Sequence, residues 1–138
     1  RSATCAARKA PPPLQEKWDM EALPYGWDER LVPGWGKNGA ELHKAVNMDC
    51  WCVTKDDLKF IREQVQQALR KREIVPTELD DFDPQDDKIG PNMYTVVEQY
   101  IKPVTARAGN MSWALMCHPE GLPCDLFLTH AWAEGIFE

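Results

Sequence analysis

With 138 residues, a formal net charge of −6 and a pI near 5.1, the chain lacks the basic surface that grips phosphates, so nucleic acid is not expected as a partner. No apolar run approaches the roughly 20 residues that span a bilayer, so no transmembrane segment is expected and any membrane association would be peripheral, through partners. Eleven prolines and eight glycines predict a loop-rich fold, and the length suits one ordinary domain or a small module plus part of another.

Residues 1–15 hold Arg1, Arg8 and Lys9 but no acid, and Pro11-Pro12-Pro13 follows an Ala/Ser/Thr-rich stretch. Two readings stand: part of an organelle transit sequence, or an ordinary disordered tail. The triple proline adds a stiff spacer and no core, so residues 1–17 are expected to form a disordered or extended arm.

Residues 18–53 contain Trp18, Trp27, Trp35 and Trp51, four of the six tryptophans, among Pro24, Gly26, Pro33, Gly34, Gly36 and Gly39. No helical or strand period persists there. Such a segment suits a compact irregular or β-rich module, or an arm that inserts its indoles into another surface. Trp27, Trp35 and Trp51 are the expected partner-binding anchors, because buried indoles dominate many interfaces.

Residues 54–72 predict the clearest helix. Thr54 can cap it and Asp57, three residues on, can complete a capping box. Asp56 and Asp57 open it and Arg70, Lys71 and Arg72 close it, matching the helix dipole. Leu58, Ile61, Val65 and Leu69 recur at three- and four-residue steps and predict one apolar stripe. Pro76 blocks continuation. Glu78, Asp80, Asp81, Asp83, Asp86 and Asp87 then predict a solvated acidic linker. It lacks the central glycine of a calcium loop, and Pro84 interrupts it.

A second helix is predicted over 91–108. Met93, Val96, Val97, Tyr100, Ile101 and Val104 share a broad face, Pro103 should kink or split it, and Gly109 should stop it. Residues 111–117 predict a strand, 118–123 a turn, and 125–129 a strand buried on both faces. Such a strand needs neighbours, so residues 54–138 are expected to be a helical segment followed by the first strands of an incomplete α/β-like domain. The fold class expected is α+β or mixed, with two amphipathic helices, a few short strands and an irregular N-terminal half.

The cysteines are Cys5, Cys50, Cys52, Cys117 and Cys124. An odd count in a chain of this size predicts free thiols in a reducing compartment. Cys117 and Cys124 flank His118, and His130 follows, but nothing marks a thiol for activation, so no catalytic residue is assigned. Cys50, Cys52, Cys117 and Cys124 offer four soft ligands, which would make a small zinc-stabilised module; the single residue between the first two strains that geometry. A Cys117–Cys124 disulfide is a further alternative. No phosphate-binding glycine loop is present, since 34–39 neither follows a strand nor opens a convincing helix. Whether the chain is an enzyme stays open, with the balance toward a non-enzymatic protein, and no cofactor is expected.

Three stretches carry family likenesses. Leu23-Pro24-Tyr25-Gly26-Trp27-Asp28-Glu29-Arg30, with Trp51 twenty-four positions after Trp27, resembles the start of a WW domain, implying a three-stranded module; the aromatic pair that builds its peptide groove has no counterpart here. Asp125-Leu126-Phe127-Leu128-Thr129-His130-Ala131-Trp132 resembles the first strand of TIR-like domains, which implies signalling assembly or NAD cleavage in a longer protein. Residues 92–138, through Ile101-Lys102-Pro103, Met111-Ser112-Trp113-Ala114-Leu115 and Thr129-His130-Ala131-Trp132-Ala133-Glu134, look like a set of dinoflagellate algal proteins with no assigned activity, which favours a chloroplast over the cytoplasm. The Trp-rich segment and the proline-flanked arm lead to an expected accessory protein that docks onto a larger assembly, with a TIR-like fragment and a zinc module as alternatives.

Overall fold

The computed structural model describes residues 22–126 and 132–138. Helices carry the fold. Extended pairing among the described residues is limited to two isolated antiparallel bridges, Thr77 with Asp80 and Asn92 with Gly135.

Helix α1 (Gly39–Ala45) starts because Asn38 Oδ1 accepts from the N–H groups of Ala40 and Glu41 at 3.0 and 3.3 Å. A single 3₁₀ turn, Met48–Cys50, follows under an Asn47 cap. Helix α2 (Lys55–Arg70) opens with the predicted capping box: Asp57 N–H donates to Thr54 Oγ1 at 3.1 Å, and Thr54 N–H donates to Asp57 Oδ2 at 2.7 Å. It ends where Arg72 takes a left-handed φ of 62°. The expected stripe is shifted. Val65, Ala68 and Leu69 are buried and Ile61 half-buried, but Leu58 is 48 % exposed.

The second predicted helix forms in three continuous parts. Helix α3 (Met93–Val96) is capped by Asn92, whose side chain accepts from Thr95 N–H at 3.0 Å. A π-helical turn, Val97–Ile101, follows, and α4 (Lys102–Ala108) completes the rod. Pro103 neither splits nor ends it. A proline ring presses on the carbonyl four residues back and offers no N–H. The wider π turn lies at that point, with Lys102 N–H reaching back to Val97 O. The expected strand over 111–117 is instead helix α5 (Trp113–Cys117), because Ser112 accepts from Leu115 N–H at 3.1 Å and starts a helical turn. Asp125 and Leu126 are exposed and outside any ladder, and the rest of the predicted 125–129 strand lies outside the described residues. Residues 23–30 are irregular, with turns at 25–26 and 29–30.

The turns of 32–39 attach to the ends of two helices. Gly34 N–H donates to Met116 O at 2.8 Å, Gly36 N–H to Ala108 O at 2.7 Å, and Gly39 N–H to Gly109 O at 2.8 Å. The last carbonyls of a helix have no partner within it, and the glycine segment supplies them. The approach is so close that a Cβ on Gly34 would lie 2.3 Å from Leu115 O, and one on Gly39 2.0 Å from Asn110 O. The result is one core cluster with members on both sides of residue 53, among them Val32, Val46, Val65, Ile74, Val96, Leu115 and Phe137, with Trp27, Trp35 and Trp51 packed on its edge.

Candidate functional site

The three indoles that the sequence offers as anchors are half-buried against their own chain. Trp27 meets Trp35, Phe60 and Trp113 edge-on, at centroid distances of 5.8, 5.0 and 5.9 Å, a geometry that sets the positive edge of one ring on the negative face of another. Its Nε1–H donates to Gln64 Oε1 at 2.8 Å. Trp35 also carries the Arg107 guanidinium 5.7 Å above its ring. Trp51 sits apart, donating Nε1–H to Val46 O at 3.0 Å and lying beside the His43 ring. That bond caps the C-terminal end of α1. The aromatic walls around Trp113 leave its buried Nε1 without a hydrogen-bond partner among the described residues.

A different aromatic pair faces outward. Tyr94 and Trp132 stack at 5.2 Å with their planes tilted by 40°, and are 59 % and 47 % exposed. The chain behind them is fixed. Met93 N–H donates to Trp132 O at 3.1 Å, Ile136 N–H to Pro91 O at 2.7 Å, and Phe137 N–H to Ile89 O at 3.0 Å, so 132–138 forms a strap across the start of α3. Ile89, 52 % exposed, lies under that strap, where a Cβ on Gly135 would touch its carbonyl. The acidic segment adjoins the same helix end. Asp80 Oδ2 accepts from Asn92 N–H at 2.9 Å and from Thr95 Oγ1–H at 2.5 Å, so this carboxylate is an anchor rather than part of a solvated run. Asp81, Asp83 and Asp87 around it are exposed. Tyr94 falls off the apolar stripe of its helix, and that placement of a large ring is the signal by which the sequence could have disclosed the patch.

The polar and thiol groups separate into two places. His118 Nε2–H donates to Asp57 Oδ2 at 2.6 Å, the carboxylate being able only to accept. The same carboxylate closes the capping box of α2, so the pair ties the turn after α5 to the start of α2. Cys117, next in chain, is buried, and burial, followed by the charge of Asp57, pushes its thiol up to about 12. A thiol so held is a poor nucleophile. Cys50 lies against that turn. Leu122 N–H donates to Cys50 O at 2.9 Å, and a Cβ on Gly121 would sit 3.0 Å from Cys50 Cβ. The four cysteines Cys50, Cys52, Cys117 and Cys124 are free thiols. They do not converge, and among the described residues no three His, Cys, Asp or Glu side chains are grouped to hold a metal ion. No described helix is long and apolar enough to cross a membrane.

Compared with family models, curated proteins and solved structures, the chain matches none.

Proposed function

We propose that this chain is a non-enzymatic interaction protein, an accessory subunit that docks onto a larger protein assembly. The observation that supports this reading is the outward Tyr94–Trp132 stack on a backbone held by the 132–138 strap. Rigid exposed aromatics desolvate a large area on binding and lose little conformational entropy in doing so. The pair is apolar and aromatic, so the complementary surface is an apolar cleft on a partner protein. The assembly belongs in an organelle, the chloroplast ahead of the cytoplasm, a reading supported by the acid-free residues 1–15 and by the likeness of 92–138 to dinoflagellate proteins.

Trp27, Trp35 and Trp51 bear on the same function in another way: their rings shape the body that carries the patch. The test is native isolation from the source organism, followed by size-exclusion chromatography and mass spectrometry. Co-migration with a large assembly is expected, and it is expected to be lost in Tyr94→Ala/Trp132→Ala. Migration of the native protein as a free small chain would overturn the proposal.

A further inference from the structure

A cavity at the end of α2 leads beyond docking, and it would serve whether or not the chain docks. Helix α2 closes in a Schellman turn: Glu73 N–H donates to Ala68 O at 2.8 Å and Arg72 N–H to Leu69 O at 3.2 Å. That turn puts Arg72, with its φ of 62°, at the left-handed position that glycine ordinarily fills. An arginine there accepts backbone strain, and it lines a cavity of about 740 Å³, a size that holds small molecules.

Two stretches of chain line the cavity and divide the charge between them. From 66–76 come Arg70 and Arg72 and no acid; from 83–87 come Asp83, Asp86 and Asp87 and no base. Among the described residues no ion pair joins the two sets. Asp83 Oδ1 accepts from Gln85 N–H and Asp86 Oδ1 from Lys88 N–H, both at 2.9 Å, which leaves the second oxygen of each carboxylate to a ligand. Leu69, Ile74 and Phe137, all buried, give an apolar floor. The walls are set in advance. Gln99, in the π turn, accepts from Val75 N–H at 2.8 Å and donates to Val75 O at 3.1 Å, while Asp80, ahead of the acidic stretch, is held by Asn92 and Thr95. Both rims are thus tied to the same helical rod.

We propose that this cavity is a binding site for a short apolar peptide with both termini free. A ligand of one sign meets repulsion at one rim, whereas a ligand of both signs answers each. The peptide carboxylate takes the Arg70 and Arg72 guanidiniums, whose forked donors match its two oxygens. Its ammonium takes the acids of 83–87. The side chains lie on the apolar floor, and the amides of Gln66 and Gln85, which also line the cavity, pair with the peptide backbone. A cavity this large is about 11 Å across, the reach of about three extended residues.

Isothermal titration calorimetry of the full chain with leucyl-alanyl-leucine tests this. Saturable binding with a Kd of about 1 mM or below is expected. Amidating the peptide carboxylate, or acetylating its amine, should each weaken binding about tenfold or more. Arg72→Gly should weaken the free peptide as much and the amidated one no further, with a melting temperature no lower, since glycine suits the left-handed position. Asp86→Asn/Asp87→Asn should weaken the free peptide and spare the acetylated one. No saturation by about 5 mM would overturn the proposal, as would blocked peptides that bind as the free one does. Binding unchanged in Arg72→Gly but lost in Tyr94→Ala/Trp132→Ala would also overturn it, by placing the peptide on the aromatic patch.

Discussion

Residues 22–53 hold one short helix and otherwise turns, whereas residues 54–117 place most of their length in helices, yet both contribute to one core. The helical part is held by side chains: Val65, Ala68, Leu69, Val96, Val104 and Leu115 bury faces whose spacing follows the helical repeat. The turn-rich part is held largely by backbone. Its glycines present N–H groups to the open carbonyl ends of α4 and α5, and its indoles seal the edge. Side-chain periodicity is visible in a sequence, while a backbone contact that depends on the absence of a Cβ leaves only a glycine as its trace.

Substitutions separate the two modes of attachment. The largest effect is expected from Gly34→Ala, whose new methyl meets the Leu115 carbonyl at 2.3 Å, with backbone on both sides. A loss of about 4 kcal/mol or more in unfolding free energy is expected from this overpacking, measured by urea titration. Gly26→Ala is the control: its φ is +86° but nothing lies within 4 Å, so only backbone strain of about 1 kcal/mol should appear. If the two variants lose equal stability, the backbone attachment is not what holds the turns.

In the helical part, Leu69→Ala is expected to cost about 2–4 kcal/mol by leaving a cavity, while Leu58→Ala, on the same sequence stripe but exposed, should cost under about 1 kcal/mol. Equal losses would restore the stripe that the spacing predicts. Thr54→Ala removes the cap of α2 and should cost about 1 kcal/mol, read from the same titration.

The effect of pH is the smallest, being absent at neutrality. Burial pushes Cys117 and Tyr100 each up to about 12, and both are protonated at pH 7 in the folded and unfolded chains alike. Above about pH 9 the unfolded thiol loses its proton first, and above about pH 10 the unfolded phenol does, so the unfolded state binds fewer protons. Stability contributed by these groups is therefore whole below pH 9 and falls as pH rises toward 12. Denaturant midpoints taken from about pH 8 to about pH 11 should decline, and Cys117→Ala/Tyr100→Phe should flatten the decline.

The helices were legible because caps and periodicity are local signals. Thr54 and Asp57 announce α2, and Gly109 ends α4 with its φ of 131°. Pro103 misleads, since a π turn before it absorbs the ring. Residues 111–117 are as apolar as a strand, and only Ser112 marks the helix start that they adopt. The aromatic patch was hidden for another reason. Tyr94 and Trp132 lie far apart in sequence and meet only because the terminal strap returns to the start of α3.

The division of labour among the aromatics is the central claim: Trp27 and Trp35 pack on the core edge, and Tyr94 and Trp132 are the pair proposed to meet a partner. The most direct test compares Tyr94→Ala/Trp132→Ala with Trp27→Ala in the native assembly, by size exclusion with mass spectrometry and by melting temperature in isolation. The account predicts that the first variant leaves the assembly yet melts as the wild type does, while the second melts lower. A first variant that still co-migrates with the assembly, or a Trp27 variant that leaves it with unchanged melting, would contradict the account.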